Sequence, residues 1–224
     1  MFIHYLSPVS EDSAEFLRSL LSQKVSLSVG SVEECMPEIE VLVAGHISVE
    51  LLSRFPNLHT LVIPFAGMPD EPRKACLQNR QITVFNLHHN AQITAELAMT
   101  LLFSAAKFVI RHDQQLRRGD WSQRYQEPSQ SILLAEKNVL VIGYGQIGQR
   151  VAAMCKAFGM RVTALQRSLN NAVTVKGIHL EPTHKLDEIL PKTHVLMITC
   201  PLTDETRGMI GNEQLASMPV GGVL

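Results

Sequence analysis

The chain has 224 residues, of which 46% are hydrophobic and 18% are charged, a composition typical of a globular protein with one or two domains. Its formal net charge is -1 at pH 7, which argues against nucleic-acid binding and against attachment to an anionic membrane, since both need a basic surface. The four cysteines are far apart and form no CxxC pair. This pattern predicts reduced thiols in a cytoplasmic protein and no metal centre.

Short strand-like runs alternate with helical patterns over the first ninety residues. Phe2 to Leu6 is the first predicted strand, and Glu11 to Gln23 is the first predicted helix. Further strands are predicted at 41–44, 58–63 and 82–85, with a helix at 69–79. This alternation is typical of βαβ units around a parallel sheet.

A single long helix is predicted next, from about Ala91 to Arg118. Its inward face is expected to consist of apolar residues at helical spacing, namely Ala98, Leu101, Leu102, Ala105 and Val109. Ile93 to Ile110 is the most apolar stretch of the chain. It carries Glu96 and Lys107 and is barely long enough to cross a bilayer, so a buried helix is predicted rather than a membrane span.

The alternation resumes after a polar connector. Strands are predicted at 138–142, 161–165, 178–180 and 194–199, and helices at 146–158, 185–190 and 212–217. A last strand is predicted to begin at Val220. The chain then ends on Gly221-Gly222-Val223-Leu224, inside an apolar run with no helix to cover it, which we interpret as a truncation.

The strongest chemical signal is a glycine loop, Gly143-Tyr144-Gly145-Gln146-Ile147-Gly148, between a predicted strand and a predicted helix. In such a GxGxxG turn the first glycine permits the tight turn, the second lets the backbone approach a pyrophosphate, and the third allows close helix–strand packing. The free N–H groups of the first helical turn, at Gln146, Ile147 and Gly148, are suited to phosphates. We therefore predict a dinucleotide site.

The end of the following strand distinguishes between the two nicotinamide cofactors. An NAD site usually has an acidic residue there, which binds the ribose hydroxyls. This chain has neutral Gln166, followed by Arg167 and Ser168. A guanidinium can pair with a 2′-phosphate, so the sequence favours NADP over NAD, although Arg167 could also be an ordinary solvated charge.

Four stretches together resemble the D-isomer-specific 2-hydroxyacid dehydrogenases, over nearly the whole chain. They are Thr94-Ala95-Glu96-Leu97-Ala98, Leu116-Arg117-Arg118-Gly119-Asp120-Trp121, the glycine loop, and the run from Thr199-Cys200-Pro201 to Gly208-Met209-Ile210. The resemblance implies an α/β protein with parallel sheets. Residues 1–90 would form a flavodoxin-like substrate domain, and residues 91–224 would form an incomplete Rossmann NAD(P)-binding domain.

The same resemblance implies roles for individual residues. Cys200 and Pro201 would line the nicotinamide side of the cofactor, and Thr206 would help to fix it; packing at the strand end and a plain turn are the alternatives for the first two. Backbone amides of a loop at Ala66, Gly67 and Met68 would hold the substrate carboxylate, unless Gly67 only forms a turn. Asn90 would contact substrate or, equally, cap the following helix.

The family's reaction is reversible hydride transfer between a nicotinamide and a 2-keto or 2-hydroxy acid. Its catalytic Arg, Glu and His would lie after the strand that begins at Val220, so none is assigned to a residue of this chain. We do not assign the acid/base role to His88, His89 or His194. This chain is therefore expected to bind cofactor and to show little or no turnover, with an exposed apolar sheet edge.

Two other functions remain as alternatives. The fold could serve a regulatory protein that couples nucleotide occupancy to partner binding, or an enzyme related to S-adenosylhomocysteine hydrolase, although the 200–208 block fits the latter poorly. A homodimer is expected by resemblance, through the helix from Ala91 and the segment up to Trp121, which could also be an anchor within one chain.

Overall fold

The computed structural model describes residues 1–67, 70–122 and 131–224. The chain divides into two compact units, Met1–His89 and Asn90–Leu224. The roles of substrate domain and cofactor domain stay predictions at this point.

The N-terminal unit contains a five-stranded parallel sheet in the order β2-β1-β3-β4-β5. This is the order typical of flavodoxin-like folds. Its strands are β1 (Phe2–Tyr5), β2 (Ser26–Val29), β3 (Val41–Val43), β4 (Thr60–Ile63) and β5 (Thr83–Asn86). Its helices are α1 (Glu11–Leu20), α2 (Val49–Leu52) and α3 (Asp70–Gln78). The parallel sheet is as predicted, whereas β2 and α2 had no recognisable sequence signal.

The C-terminal unit contains a second five-stranded sheet, in the order β10-β6-β7-β9-β8. Its strands are β6 (Asn138–Ile142), β7 (Arg161–Leu165), β8 (Val173–Val175), β9 (Ile178–Glu181) and β10 (Val195–Ile198). Its helices are α4 (Ala91–Ala106), α5 (Val109–Arg117), α6 (Gln146–Ala157), α7 (Leu186–Ile189) and α8 (Asn212–Ser217). Without β8, the order β9-β7-β6-β10 is that of a Rossmann-like sheet, in agreement with the predicted fold class.

Strand β6 is buried on both of its faces. Val139 and Val141 pack into one cluster with residues of α4 and α6, whereas Leu140 and Ile142 pack into another with Leu186 and its neighbours. Successive side chains of a strand point to opposite faces, so a strand covered on both sides is a continuous apolar run. This explains the sequence Val139-Leu140-Val141-Ile142 and agrees with the interior position of β6, between β10 and β7.

The edge of this sheet differs from the all-parallel prediction. Strand β8 pairs antiparallel with β9. The two strands are joined by Lys176 and Gly177, which both have positive φ, at 51° and 73°. Two consecutive positive φ values characterise a tight hairpin turn, and this turn accounts for the antiparallel edge strand.

The prediction of a single helix from Ala91 to Arg118 was wrong. Two helices, α4 and α5, are bent by 60° relative to each other. The break lies at Phe108, whose φ of 51° is left-handed and cannot continue an α-helix. The buried face of α4 also differs from the predicted one. It consists of Ala91, Ala95, Met99, Leu102 and Ala106, while Leu101 is exposed.

Within the described ranges, no single helix has the length and apolar character needed to cross a membrane. Helices α4 and α5 meet those criteria only when taken together, across their 60° bend. One face of α4 is buried in the core of its own unit.

The strand predicted from Val220 is reduced to one parallel bridge, between Val195 and Val223. Leu196 N donates to Val223 O at 2.8 Å, and Val223 N donates to His194 O at 2.9 Å. The chain therefore begins to cover the outer edge of β10.

His4 is a buried polar residue on β1, with 2% of its surface exposed. Its Nε2 lies 3.0 Å from the Gly30 carbonyl oxygen, and its Nδ1 lies 2.9 Å from Ser28 Oγ. A carbonyl only accepts, so Nε2 carries the proton and Ser28 donates to Nδ1. Both nitrogens are satisfied in the neutral ring. Burial lowers the pKa of His4 from its ordinary value of 6.5, and the hydrogen bond to Gly30 opposes this shift.

We expect the N-terminal unit to lose stability as the pH falls below about 6.5, the ordinary histidine pKa. There the unfolded chain binds a proton at His4 that the folded unit resists, so the free energy of unfolding decreases with pH. Hydrogen exchange of the Leu42 and Leu61 amides at several pH values measures this effect. The variant His4→Gln keeps one donor and one acceptor but does not titrate, so its pH dependence should be flatter. Identical profiles for both proteins would contradict the prediction.

Candidate functional site

The glycine loop connects β6 to α6 in a turn that only glycine tolerates at its first position. Gly143 has a φ of 97°, and its N–H donates to Leu165 O at 3.0 Å. A Cβ on Gly143 would lie 2.8 Å from Cys200 N and 2.9 Å from Cys200 Cα. The loop is thus fixed between the ends of β7 and β10.

The third glycine of the loop allows α6 to approach the turn closely. A Cβ on Gly148 would clash with Gly143 O and would lie 2.7 Å from Thr199 Oγ1. The Thr199 hydroxyl lies 2.7 Å from Gly143 O and 3.1 Å from Ile142 O, and donates to these carbonyls. Helix, loop and the end of β10 therefore meet at one point.

The middle glycine, in contrast, has open space in front of it. A Cβ on Gly145 would have no heavy atom within 4 Å. Gly145 is the N-cap of α6 and provides no side-chain cap, and the first N–H groups of an α-helix lack partners within the helix. These groups belong to Gln146, Ile147 and Gly148. A helix start of this kind favours an anion.

A cleft of about 720 Å³ lies beside this loop. It is lined by residues that follow the strands β6, β7, β9 and β10, at the carboxyl edge of the sheet. Eight of the predicted cofactor residues line it: Gly143, Gly145, Gln166, Arg167, Ser168, Cys200, Pro201 and Thr206. The other three, Gln146, Ile147 and Gly148, form the first turn of α6 behind the loop.

Three side chains at the end of β7 line one side of the cleft. Gln166 Nε2 donates to Ser168 Oγ at 2.9 Å, which leaves the amide oxygen of Gln166 as an acceptor. Arg167 is exposed, and its Nη1 lies 3.3 Å from Glu205 Oε2. The end of β7 thus offers a cation and neutral polar groups, and the nearby carboxylate comes from a different loop.

The segment after β10 lines the opposite side. Burial raises the pKa of the Cys200 thiol. This side chain therefore lines the cleft as an uncharged thiol rather than as a thiolate nucleophile. The Thr206 hydroxyl donates to Pro201 O at 2.7 Å and accepts from Thr203 N at 2.8 Å. Thr206 therefore holds the shape of the loop that carries Pro201, which sequence reasoning could not specify.

Several cleft residues were not identified from the sequence: Tyr144, Thr183, His184, Thr203, Glu205 and Met209. Thr183 and His184 come just after β9, and the rule that ligands bind beyond the carboxyl ends of parallel strands could have indicated them. His194, in contrast, precedes β10, and its Nδ1 accepts from Asn138 N at 3.3 Å at the amino edge of the sheet.

In the N-terminal unit, the predicted substrate loop follows β4. Asn86 Nδ2 donates to Ala66 O at 2.8 Å, and Leu87 N donates to Phe65 O at 3.1 Å. A Cβ on Gly67 would meet no atom within 4 Å, so its backbone is accessible. Met68, the third predicted residue of this loop, lies outside the described residues.

Asn90 directly precedes α4 in the C-terminal unit. Its side chain makes no capping hydrogen bond, whereas its carbonyl accepts from Thr94 N and Thr94 Oγ1, both at 2.9 Å. Capping of α4 by the Asn90 side chain, one of the two readings of this residue, is therefore wrong. Among the residues that the structure describes, no three His, Cys, Asp or Glu side chains gather as a metal site.

The residues around the glycine loop fit a dinucleotide. A pyrophosphate needs backbone N–H donors and a position without a Cβ, and Gly145 provides such a position at the start of α6. The neighbouring cleft has the size expected for a small-molecule site. The donor set therefore agrees with the cofactor that the motif predicts.

Comparison with known proteins also indicates a nicotinamide dinucleotide site. Residues 99–224 match the model of the D-isomer specific 2-hydroxyacid dehydrogenase NAD-binding domain. A glyoxylate reductase of Aeropyrum pernix is 31% identical over 188 residues, which cover 82% of this chain and 55% of the relative. The chain spans about half the length of several curated relatives that it matches, with 55%, 42% and 57% of them covered.

Two solved structures share the fold. A D-lactate dehydrogenase from Aquifex aeolicus, complexed with NAD and lactic acid, has a TM-score of 0.72 at 23% identity, over 97% of this chain and 66% of that one. An acyclic imino acid reductase, Bsp5, in complex with NADPH and D-Arg has a TM-score of 0.72 at 21% identity, over 97% and 71%. Since the family model covers more than half of the chain, this protein belongs to the D-isomer specific 2-hydroxyacid dehydrogenases.

Proposed function

We propose that this chain is the cofactor-binding and substrate-binding part of an NAD(P)-dependent oxidoreductase that interconverts 2-keto and 2-hydroxy acids. The observation that carries the proposal is the open space at Gly145, at the start of α6 and beside a cleft of about 720 Å³. A bound nicotinamide cofactor supplies the hydride. The residues of this chain bind and orient it.

Each side of the cleft has a separate task in this proposal. The N–H groups of Gln146, Ile147 and Gly148 hold the pyrophosphate. Gln166, Arg167 and Ser168 contact the adenosine ribose. Cys200 and Pro201, held in shape by Thr206, form a neutral wall beside the nicotinamide.

We favour NADP over NAD as the cofactor. No acidic residue stands at the end of β7 to bind a free 2′-hydroxyl, and the Arg167 guanidinium can pair with a 2′-phosphate. Relatives with this fold have been solved with NADPH and with NAD, so both cofactors suit the fold.

The substrate is proposed to be a small 2-keto or 2-hydroxy acid. Accessible backbone at Gly67, together with Ala66 and Met68 beside it in sequence, would bind its carboxylate, since backbone amides in a turn bind anions. Asn90, whose side chain does not cap α4, would supply a polar contact to substrate.

We expect the 224-residue chain to bind NADPH more tightly than NADH, and Gly145→Val to bind neither. A Cβ at 145 would meet no heavy atom within 4 Å, so the variant should fold, but the valine side chain would fill the space for the pyrophosphate. Titration calorimetry and circular dichroism measure binding and folding. If the folded Gly145→Val variant binds the cofactors as tightly as the wild type does, the proposed site is contradicted.

Gly211→Val is the matched control for this experiment. Gly211 is also a helix N-cap, of α8, and a Cβ there would lie 3.6 Å from Gln214 Oε1, an ordinary contact. It does not line the cleft. This variant should bind cofactor as the wild type does.

Turnover by the same chain is expected to be very low. The family resemblance implies an Arg, a Glu and a His after the strand predicted from Val220, and we assign none of these roles to a residue of this chain. Glyoxylate- or hydroxypyruvate-dependent oxidation of NADPH, followed by absorbance, measures the activity. Robust turnover would overturn this expectation. Binding without turnover, together with a stable protein partner, would favour the alternative regulatory function.

We also propose that the protein forms a homodimer through α4. Ile93, Leu97 and Leu101 recur every four residues on this helix and are 71%, 58% and 62% exposed. Such a stripe resembles an unpartnered packing face. A second copy of the chain would bury it by presenting the same stripe, as symmetric dimers do.

Leu97→Asp is expected to convert the dimer to a monomer, since it places a charge at the centre of the stripe. Leu77→Asp is the control, because Leu77 is also exposed, at 62%, but lies on α3. Analytical ultracentrifugation measures the mass of each. A monomeric wild type would refute the dimer.

The protein is proposed to be cytoplasmic. Cys35, Cys76, Cys155 and Cys200 are all free thiols, as is usual in reducing compartments.

A further inference from the structure

Arg167, the cation expected to bind a 2′-phosphate, already has a partner. Its Nη1 lies 3.3 Å from Glu205 Oε2. The two residues come from different elements, since Arg167 follows β7 and Glu205 belongs to the segment after β10. Both line the same cleft. The ion pair thus joins two sides of the proposed cofactor site.

A 2′-phosphate that binds Arg167 would meet this carboxylate in two ways. It would compete with Glu205 for the guanidinium, whose N–H groups bind carboxylates and phosphates alike. It would also bring its negative charge close to that of Glu205, which is unfavourable. A cofactor with a free 2′-hydroxyl would leave the ion pair intact.

We propose that Glu205 is a specificity-determining residue that weakens the binding of 2′-phosphorylated cofactor by holding Arg167. This proposal rests on the proposed function, because it concerns the same dinucleotide site. Gln166 at the strand end is neutral, so the carboxylate that disfavours NADP comes from the loop after β10. Discrimination between NADP and NAD is then set by the pair and not by Arg167 alone.

The exposure of the pair determines the size of the effect. The side chains of Arg167 and Glu205 are 76% and 70% exposed, and ion pairs in such positions are weak. A phosphate can therefore displace Glu205. Removal of the carboxylate should tighten NADPH binding by about two- to fivefold, the range expected for one exposed ion pair.

The test compares Glu205→Gln with the wild-type chain by titration calorimetry. NADPH and NADH are the ligands, together with adenosine 2′,5′-bisphosphate and adenosine 5′-monophosphate, which differ only in the 2′-phosphate. Glu205→Gln should bind the two 2′-phosphorylated ligands more tightly and leave the other two unchanged. The gain should shrink in high salt, which screens exposed charges.

Two further variants separate direct pairing from a general effect of charge. Asp204→Asn removes the same charge from the neighbouring residue, which does not line the cleft, and should leave the NADPH-to-NADH ratio nearly unchanged. In an Arg167→Gln background the guanidinium is absent, so adding Glu205→Gln should increase the affinity for NADPH much less than it does in the wild-type chain.

The outcomes distinguish the inference from the proposed function. If neither NADPH nor NADH binds the wild-type chain, the proposed function fails. If both bind and Glu205→Gln leaves their ratio unchanged, the proposed function stands and the role of Glu205 is refuted. If Asp204→Asn increases the affinity for NADPH as much as Glu205→Gln does, the role of Glu205 is also refuted.

Discussion

The carbonyl of Gly143 lies so close to Gly148 that no Cβ fits between them, and the same carbonyl accepts a hydrogen bond from Thr199. This contact brings the start of α6, the glycine loop and the end of β10 to one place. It fixes the direction in which the first N–H groups of α6 point, and it fixes where the chain continues into Cys200 and Pro201. Both sides of the cleft therefore depend on it.

Gly143 and Gly148, which make this contact, have a different physical role from Gly145, which lies between them in sequence. At 143 and 148 a side chain would collide with atoms of the protein itself, so glycine is required for folding. At 145 a Cβ would meet no heavy atom within 4 Å, so steric crowding within the protein does not explain the glycine. Backbone exposed in this way is suited to a ligand that must come close to the main chain.

The fold and the glycine loop could be predicted because their signals are local. The run from Val139 to Ile142 is apolar because β6 is covered on both faces, and Gly143 marks its end. The break at Phe108 could not be predicted, because neither glycine nor proline marks it and the left-handed backbone depends on tertiary packing. The face of α4 was misjudged because alanines, rather than the larger Leu101, are buried where the helix packs closely.

The site was predictable only along continuous segments of sequence. Gln166, Arg167 and Ser168 could be located by counting from the glycine loop to the next strand end. Glu205 is 38 residues from Arg167 along the chain, and no pattern in the sequence relates the two. Their proximity arises from β7 and β10 flanking β6 in the sheet. Thr183 and His184 reach the cleft for the same topological reason.

The hydrogen bond from Asn86 to the Ala66 carbonyl determines the polarity of the loop after β4. In a trans peptide the C=O and the following N–H point in opposite directions, so a carbonyl held towards Asn86 turns the Gly67 N–H away from it. One amide side chain on the neighbouring strand thus selects which edge of this peptide plane faces outwards. A carboxylate at position 86 could not donate to the Ala66 carbonyl oxygen. The hydrogen bond that holds the Ala66–Gly67 peptide in this orientation would then be lost.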